Sequence, residues 1–242
     1  MFRKTLLSGF MAVTMASAGA VPVTFTQLTG ATGASADTAV LKADLSGVGL
    51  AGILAIGIRD GGSLLGASGS RSGFDLDAIK LSTTNCSDAA CAASAAGLSV
   101  FNFTSGIVFM PGSQRAPVDP KLFGTDAAGT GVDNSVATLG AFDTVSTTSV
   151  STSTGFLSLG DDGAIDFNLT APVATSGLFL YVGEGGSNTG ANGIHETLSS
   201  DVLVSSTPVT VPEPGTLALL ALSLGGLAVW LRHKPSAAAM TP

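Results

Sequence analysis

The chain has few of the residue types on which metal catalysis and nucleic-acid binding depend. Its 242 residues include 2 histidines, 2 cysteines, 1 tryptophan and 1 tyrosine, and 10 lysines and arginines stand against 17 aspartates and glutamates. Two cysteines without a nearby histidine supply too few ligands for tetrahedral zinc. A formal charge of −7 repels nucleic-acid phosphates. The composition therefore argues against zinc enzymes and nucleic-acid-binding proteins.

The shortage of histidine and aromatic residues also limits hydrolytic chemistry. His195, beside Glu196, is the one histidine between residues 21 and 210. A serine hydrolase triad needs such a base, but no G-x-S-x-G elbow occurs. Glycosidase carboxylates and lectin sites normally work beside aromatic faces, and this region has no tryptophan and only Tyr181. We expect no catalytic residue; a secreted hydrolase of unfamiliar type that uses His195 is the weaker alternative.

Residues 1–20 have the three parts of a signal peptide in order. Arg3 and Lys4 give a basic start, an apolar run follows, and the small residues Ala18 and Ala20 end the segment. We expect signal peptidase to cleave after Ala20 and the remaining chain to be exported. A buried N-terminal helix is the alternative interpretation.

The exported part is strongly acidic and holds both cysteines. Between residues 21 and 214 there are 6 basic and 17 acidic residues, a formal charge of −11 that would tolerate or attract divalent cations. Cys86 and Cys91 lie close together in a polar stretch, so in an oxidising compartment we expect them to form a small disulfide. A pair of free thiols is the alternative.

The pattern over residues 21–210 is typical of an all-β domain. Short apolar runs alternate with Gly, Ser, Thr, Asn and Asp, and no stretch keeps helical spacing for three turns. Roughly eight to ten short strands separated by turn signals predict a β-sandwich or jelly-roll-like ectodomain. The low-complexity run Thr144–Thr154 is expected to be a strand or loop within this domain.

Two segments near the end of this domain give specific predictions. Residues 156–159 and 165–169 flank a Gly-Asp-Asp-Gly turn and are predicted to form a hairpin with Ile165, Phe167 and Leu169 on its buried face. The uninterrupted apolar run 178–182 predicts a central strand covered on both sides, followed by a loop from Gly183 to Gly193.

The earlier strands carry signals of their own. Glycines within residues 50–62 argue against a helix and predict a strand that ends at Arg59. In residues 72–82 the alternation of apolar and acidic side chains slips after Asp77, which predicts a bulge near Ala78. One or two further strands are expected around residues 104–106.

Two groups of aspartates are the candidates for cation binding. Asp75 and Asp77 fall on one side of a predicted strand and would repel each other unless Arg71, solvent or a cation intervenes. Around the predicted turn lie three more carboxylates, Asp161, Asp162 and Asp166. Carboxylate oxygens are ligands that Ca²⁺ prefers, so a calcium- or glycan-binding module is an alternative function, although no EF-hand spacing occurs. The simpler interpretation is that these aspartates are solvated turn residues that bind no cofactor.

The C-terminus contains an apolar run that predicts a single transmembrane helix. Residues 216–231 have no charge and span about 24 Å as a helix, slightly less than the ~30 Å of a hydrocarbon core. Arg232 and Lys234 after this run would stay on the cytoplasmic side. Pro212 and Pro214 before it keep the chain extended and accessible to a protease.

These residues resemble a PEP-CTERM sorting signal, in which Val211-Pro212-Glu213-Pro214 precedes an apolar helix and a basic cluster over 211–234. The resemblance implies recognition of the triplet by exosortase, a membrane-embedded cysteine peptidase of Gram-negative bacteria, after transient anchoring in the inner membrane. It further implies delivery to the cell envelope or extracellular matrix. His233 interrupts the basic cluster, and the short tail 235–242 continues beyond the point where such proteins commonly end.

A looser resemblance covers residues 156–186, which are similar to a pattern met in exported bacterial β-sandwich proteins of the surface or matrix. That resemblance implies a non-catalytic body. We therefore expect the ectodomain to serve display, adhesion or association with extracellular polysaccharide, with signal peptidase, exosortase and the membrane as the other partners.

Overall fold

A computed structural model of the chain describes residues 19–34, 38–146, 150–186, 198 and 202–210. The chain divides into the units Met1–Val209 and Thr210–Pro242, and the folded domain belongs to the first. Within the described ranges no helix is long and apolar enough to cross a membrane. The predicted signal peptide up to Ala18 and the predicted sorting signal over 211–234 lie outside the described residues.

The regular secondary structure of the described part of the domain is almost entirely β, which confirms the all-β prediction. A short helix, α1, spans Ala89–Ser94. The ten strands of the described ranges are β1 (Ala20–Pro22), β2 (Thr26–Gln27), β3 (Thr38–Asp44), β4 (Gly52–Arg59), β5 (Asp75–Ser82), β6 (Ile107–Met110), β7 (Leu157–Ser158), β8 (Ala164–Ala174), β9 (Phe179–Gly185) and β10 (Leu203–Ser205).

The strands form two five-stranded antiparallel sheets that pack as a sandwich. The first sheet has the order β1-β10-β4-β8-β6 and the second has the order β2-β3-β9-β5-β7. Inward-facing residues of both sheets share one buried cluster, to which Ile58 and Phe167 of the first sheet and Leu81 and Val182 of the second contribute. Each such side chain contributes roughly 1.5–3 kcal/mol when it leaves water, so this shared core holds the sheets together.

Strand β9 is the central strand of the second sheet and is buried along its whole length. Leu180 and Val182 face the main core, whereas Phe179 and Tyr181 face a second cluster on the outer side of the sheet. The predicted strand with two covered faces is therefore confirmed.

The predicted loop after Val182 is wrong over its first residues, because β9 continues through Gly185. A Cβ atom on Gly183 would lie 2.9 Å from the ring of Phe142, and one on Gly185 would lie 2.9 Å from Thr144. These glycines allow residues 142–144 to pack closely on the strand and do not mark a turn. Residues 187–193 lie outside the described part of the chain.

The predicted bulge in β5 is confirmed. Leu76 pairs with Glu184 of β9 and Ile79 pairs with Val182, so β5 has one residue more than its partner between these pairs. The extra residue places Leu76, Ile79 and Leu81 together in the core.

The predicted hairpin across residues 160–163 is wrong. Strand β7 pairs with β5 in the second sheet, and β8 pairs with β4 and β6 in the first. The turn therefore carries the chain from one sheet to the other, and the faces of β8 are as predicted, with Ile165, Phe167 and Leu169 in the core. Turn residues predict where a chain reverses but not which strand it pairs with afterwards.

The other local predictions agree with the structure. Strand β4 ends at Arg59, and β6 follows the turn at 104–106. In the run Thr144–Thr154, Val145 and Thr154 exchange backbone hydrogen bonds and close a loop, of which residues 147–149 are not described.

Three chain segments meet backbone to backbone at the end of the sandwich where the chain changes sheets. A Cβ atom on Gly163 would lie 1.9 Å from the carbonyl oxygen of Leu159, one on Gly112 would lie 2.3 Å from that of Asp161, and one on Gly73 would lie 2.2 Å from that of Gly160. We call Gly73, Gly112, Gly160 and Gly163 the glycine junction. Only glycine fits these positions, because backbone atoms of a packed turn cannot move aside cheaply.

The glycine junction gives a direct prediction about stability. Gly163→Ala should lower the free energy of unfolding by about 3 kcal/mol, because the added methyl group overlaps the Leu159 carbonyl. Gly47→Ala is the matched control, since a Cβ atom there meets nothing within 4 Å, and its effect should stay within about 0.5 kcal/mol. Urea denaturation of the two variants checks this, and equal stabilities would contradict it.

Candidate functional site

Asp77, a predicted cation ligand, accepts hydrogen bonds from neighbouring protein groups. Its side chain is fully buried on β5. One carboxylate oxygen accepts a hydrogen bond of 2.6 Å from the Thr38 hydroxyl, and the other accepts the backbone N–H groups of Asp143 and Thr144 at 3.2 Å each. Burial raises the pKa of Asp77 to about 6, although these donors act against the shift. Asp77 thus fastens residues 143–144 to the second sheet.

Asp75 lies on the same strand and is also buried. The Ser158 hydroxyl of β7 donates a 2.5 Å hydrogen bond to its carboxylate. Burial raises the pKa of Asp75 to about 8, whereas the Ser158 hydrogen bond and the positive charges of Arg71 and Arg115 act in the opposite direction. Arg71 was predicted to be a charge that could intervene between Asp75 and Asp77. Its positive charge lowers the pKa of Asp75, against the larger effect of burial.

The other three candidate carboxylates do not point into one site. Asp166 forms a 2.7 Å ion pair with Arg59 on the first sheet. Asp161 is buried and lies 3.2 Å from Arg115, and burial raises the pKa of its carboxyl. Asp162 is exposed in the turn.

No group of three or more His, Cys, Asp or Glu residues in the described ranges is placed to hold a metal ion. Asp75, Asp77, Asp161 and Asp166 are thus engaged by neighbouring hydroxyl, N–H or guanidinium groups, whereas Asp162 is exposed. The calcium hypothesis gains no support from their arrangement.

Asp60 is a residue whose role the sequence did not reveal. Its carboxylate accepts three backbone hydrogen bonds, from Gly62 at 2.8 Å, Phe74 at 2.9 Å and Asp162 at 3.1 Å. The Asp-Gly-Gly sequence indicates the local turn, but the bonds to Phe74 and Asp162 depend on the tertiary fold. Asp60 thereby ties the end of β4 to both neighbouring loops beside the glycine junction.

Arg115 supports the same end of the sandwich. Its backbone N–H donates to the Ser72 hydroxyl at 2.9 Å, and its guanidinium donates to the Leu64 carbonyl at 2.8 Å and faces Asp161. Nothing in the sequence around Arg115 distinguishes it from an exposed loop arginine. Asp60, Asp161 and Arg115 are therefore positioned to stabilise the loops at this end of the sandwich.

The predicted disulfide between Cys86 and Cys91 is confirmed, with an S–S distance of 2.07 Å. It lies on the outer face of the second sheet, where α1 packs on Phe179 and Tyr181. The Asp88 carboxylate caps the helix by accepting the Cys91 N–H at 2.8 Å. The Tyr181 hydroxyl accepts the Cys86 N–H at 2.9 Å, so this tyrosine anchors the disulfide loop and presents no sugar-binding face.

Two cavities in the described domain border phenylalanine rings that are buried or partly buried. One, of about 400 Å³, is lined mainly by apolar groups that include Phe123, but that ring is only 7% exposed. The other, of about 470 Å³, borders Lys80 and Phe103. The Lys80 ammonium donates to the carbonyls of Ala92, Ala93 and Ala95 after α1, so it is already engaged. His195 lies outside the described residues.

The last described segment ends at Thr210, immediately before the predicted processing motif. Residues 206–210 follow β10, and Val209 binds the side chain of Asn168 on the first sheet. The residues of the predicted processing site, Val211 to Pro214, and the basic pair Arg232 and Lys234 lie outside the described ranges.

Comparison with known proteins gave no match to a protein-family model, to a curated protein or to a solved structure. Any functional assignment therefore depends on the residues of this chain.

The buried carboxyl of Asp75 predicts a pH dependence of stability. Its raised pKa means that its contribution to stability is fully present below about pH 4 and is lost as the pH rises through about 8. Thermal and urea unfolding between pH 5 and 9 should show stability falling with pH, with a slope from this group of up to about 1.4 kcal/mol per pH unit. Asp75→Asn should flatten that fall.

Asp44→Asn provides the control for this measurement. Asp44 is exposed, and a hydrogen bond from the Ser46 backbone lowers the pKa of its carboxyl, so it does not titrate in this pH range. An Asp75→Asn profile that parallels the unmodified protein would show that Asp75 is ionised in the folded state throughout.

Proposed function

We propose that this protein is exported, is held in the inner membrane by residues 216–231, and is processed at Pro212-Glu213-Pro214 by an exosortase-type peptidase. The observation that carries the proposal is the order of four features in residues 211–234: a proline motif, an uncharged apolar run, a tryptophan near the end of that run and a basic cluster. Each feature has a physical role in holding a substrate across a bilayer while leaving an accessible joint outside.

Two further observations support export. The N-terminal residues 1–20 follow the composition of a signal peptide. The Cys86–Cys91 disulfide is of a kind that persists in oxidising compartments and is rare in the cytosol.

For the sandwich itself we propose a non-catalytic role in display, adhesion or association with extracellular polysaccharide at the envelope or in the matrix. The supporting observation is that buried carboxylates are engaged by neighbouring protein groups, as Asp60 is by three backbone N–H groups and Asp77 by Thr38 and residues 143–144. Such groups hold the strands and loops of the domain together.

Mass spectrometry of the protein from the envelope and medium of its native host tests the processing step. We expect a mature form that begins near Val21 and ends near Pro214. Glu213→Gln should retain the C-terminal segment, because the motif loses its only charge. Pro235→Ala, which changes a proline beyond the basic cluster, should be processed as the unmodified protein is.

An intact peptide from Trp230 to Pro242 in all three proteins would contradict the proposal and leave a simple membrane anchor. Loss of the segment in Glu213→Gln at the normal rate would show that cleavage does not depend on the motif.

A further inference from the structure

The segment that leads to the proposed processing site is bound to the outer face of the first sheet. The chain leaves β10 at Ser205, whose hydroxyl accepts the Thr207 backbone N–H at 3.1 Å and starts a turn. After Pro208, Val209 lies beside Asn168 in the middle of β8. The turn thus directs the chain back across the sheet and not away from it.

The contact between Asn168 and Val209 uses both polar groups of the side-chain amide. The Asn168 Nδ2 donates to the Val209 carbonyl oxygen at 2.9 Å, and the Val209 N–H donates to Asn168 Oδ1 at 2.7 Å. A primary amide that both donates to and accepts from one residue imitates a neighbouring strand. We call this pair of bonds the Asn168 clip.

The fold holds both partners of the clip in place. Asn168 lies between Phe167 and Leu169, which are anchored in the core, so its side chain is held on the outer side of β8. A cavity of about 150 Å³ that Ala55 and Gly57 of β4 line also borders Pro208 and Val209, so the crossing segment lies over this strand.

The position of the clip limits the free chain before the proline motif. Only Thr210 and Val211 separate Val209 from Pro212, and three residue steps of extended chain reach at most about 10 Å. Peptidases bind several residues of a substrate in an extended form, usually by pairing with its backbone, and cleave folded proteins where the chain has opened locally. In the clip, the backbone groups of Val209 are already occupied.

We propose that the Asn168 clip limits access of the processing peptidase to the Pro-Glu-Pro joint, so that release of Val209 precedes cleavage. This inference depends on the function proposed above for its biological meaning. The clip itself is testable without the peptidase.

Limited proteolysis of the purified full chain in detergent tests the clip. With dilute proteinase K, we expect Asn168→Ala to be cut after residues 206–211 about tenfold faster than the unmodified protein, because the opened form gains population when two hydrogen bonds are lost. Asn168→Asp keeps the size of the side chain and its acceptor but loses the donor, so it should show a smaller increase. Intact-mass analysis gives the sites and the rates.

Asn134→Ala is the matched control, because it removes another asparagine whose Nδ2 donates to a backbone carbonyl, that of Phe103, at 2.8 Å. Its cleavage after residues 206–211 should proceed at the unmodified rate. Hydrogen exchange of a peptide over 203–211 provides a second readout, with loss of protection at Val209 in Asn168→Ala and a smaller loss in Asn168→Asp, which keeps the acceptor of the Val209 N–H. Equal cleavage rates and equal protection in the Asn168 variants and the unmodified protein would overturn the clip.

Processing in the native host distinguishes failure of the clip from failure of the proposed function. Faster C-terminal processing of Asn168→Ala than of Asn134→Ala supports limited access, whereas slower or unchanged processing of Asn168→Ala overturns it. If no C-terminal cleavage occurs in any of the proteins, the proposed function fails, whatever limited proteolysis shows for the clip.

Discussion

Close backbone contact at the glycine junction is the constraint on which the rest of the sandwich depends. The chain must pass from the second sheet to the first between Leu159 and Ala164, and it does so with the Gly163 backbone against the Leu159 carbonyl. The loops at Gly73 and Gly112 close on the same point. If this crossing were displaced, β7 and β8 would leave their partners, and the core between the sheets would open.

Buried carboxylates hold the loops at this end of the molecule, and another one holds a loop on the outer face of the second sheet. Asp60 binds three backbone N–H groups from three segments, and Asp77 holds residues 143–144 on the sheet. An acidic sequence is often a sign of cation binding, but here the buried Asp77 accepts hydrogen bonds from a hydroxyl and two backbone N–H groups, and Asp161 and Asp166 form ion pairs with arginines. Their raised pKa values, at Asp75 and Asp77, follow from burial and not from mutual repulsion in a ligand site.

The sequence predicted those features that depend on periodicity. The covered central strand, the bulge in β5 and the faces of β8 follow from the pattern of apolar residues, and the end of β4 at Arg59 follows from the glycines in and after that strand. Strand partners did not follow, because the Gly-Asp-Asp-Gly turn is compatible with a hairpin and with a crossing between sheets. The roles of Asp60, Arg115 and Asn168 could not be predicted, because each depends on groups that only the fold brings near. Asp60 binds Phe74, for example, and Asn168 binds Val209. Helix α1 was missed because six residues are too few for a helical pattern to emerge.

We propose that a non-catalytic sandwich lies outside the cell. The segment bound by Asn168 joins it to a tail, and this tail crosses the inner membrane until it is cut. Its central claim is the orientation of that tail. Alkaline phosphatase is active only outside the cytoplasm, so it can be fused after Thr210 in one chromosomal allele and after Pro242 in another to report the two sides. We predict an active enzyme in the first fusion and an inactive one in the second; activity after Pro242 would contradict the proposed orientation.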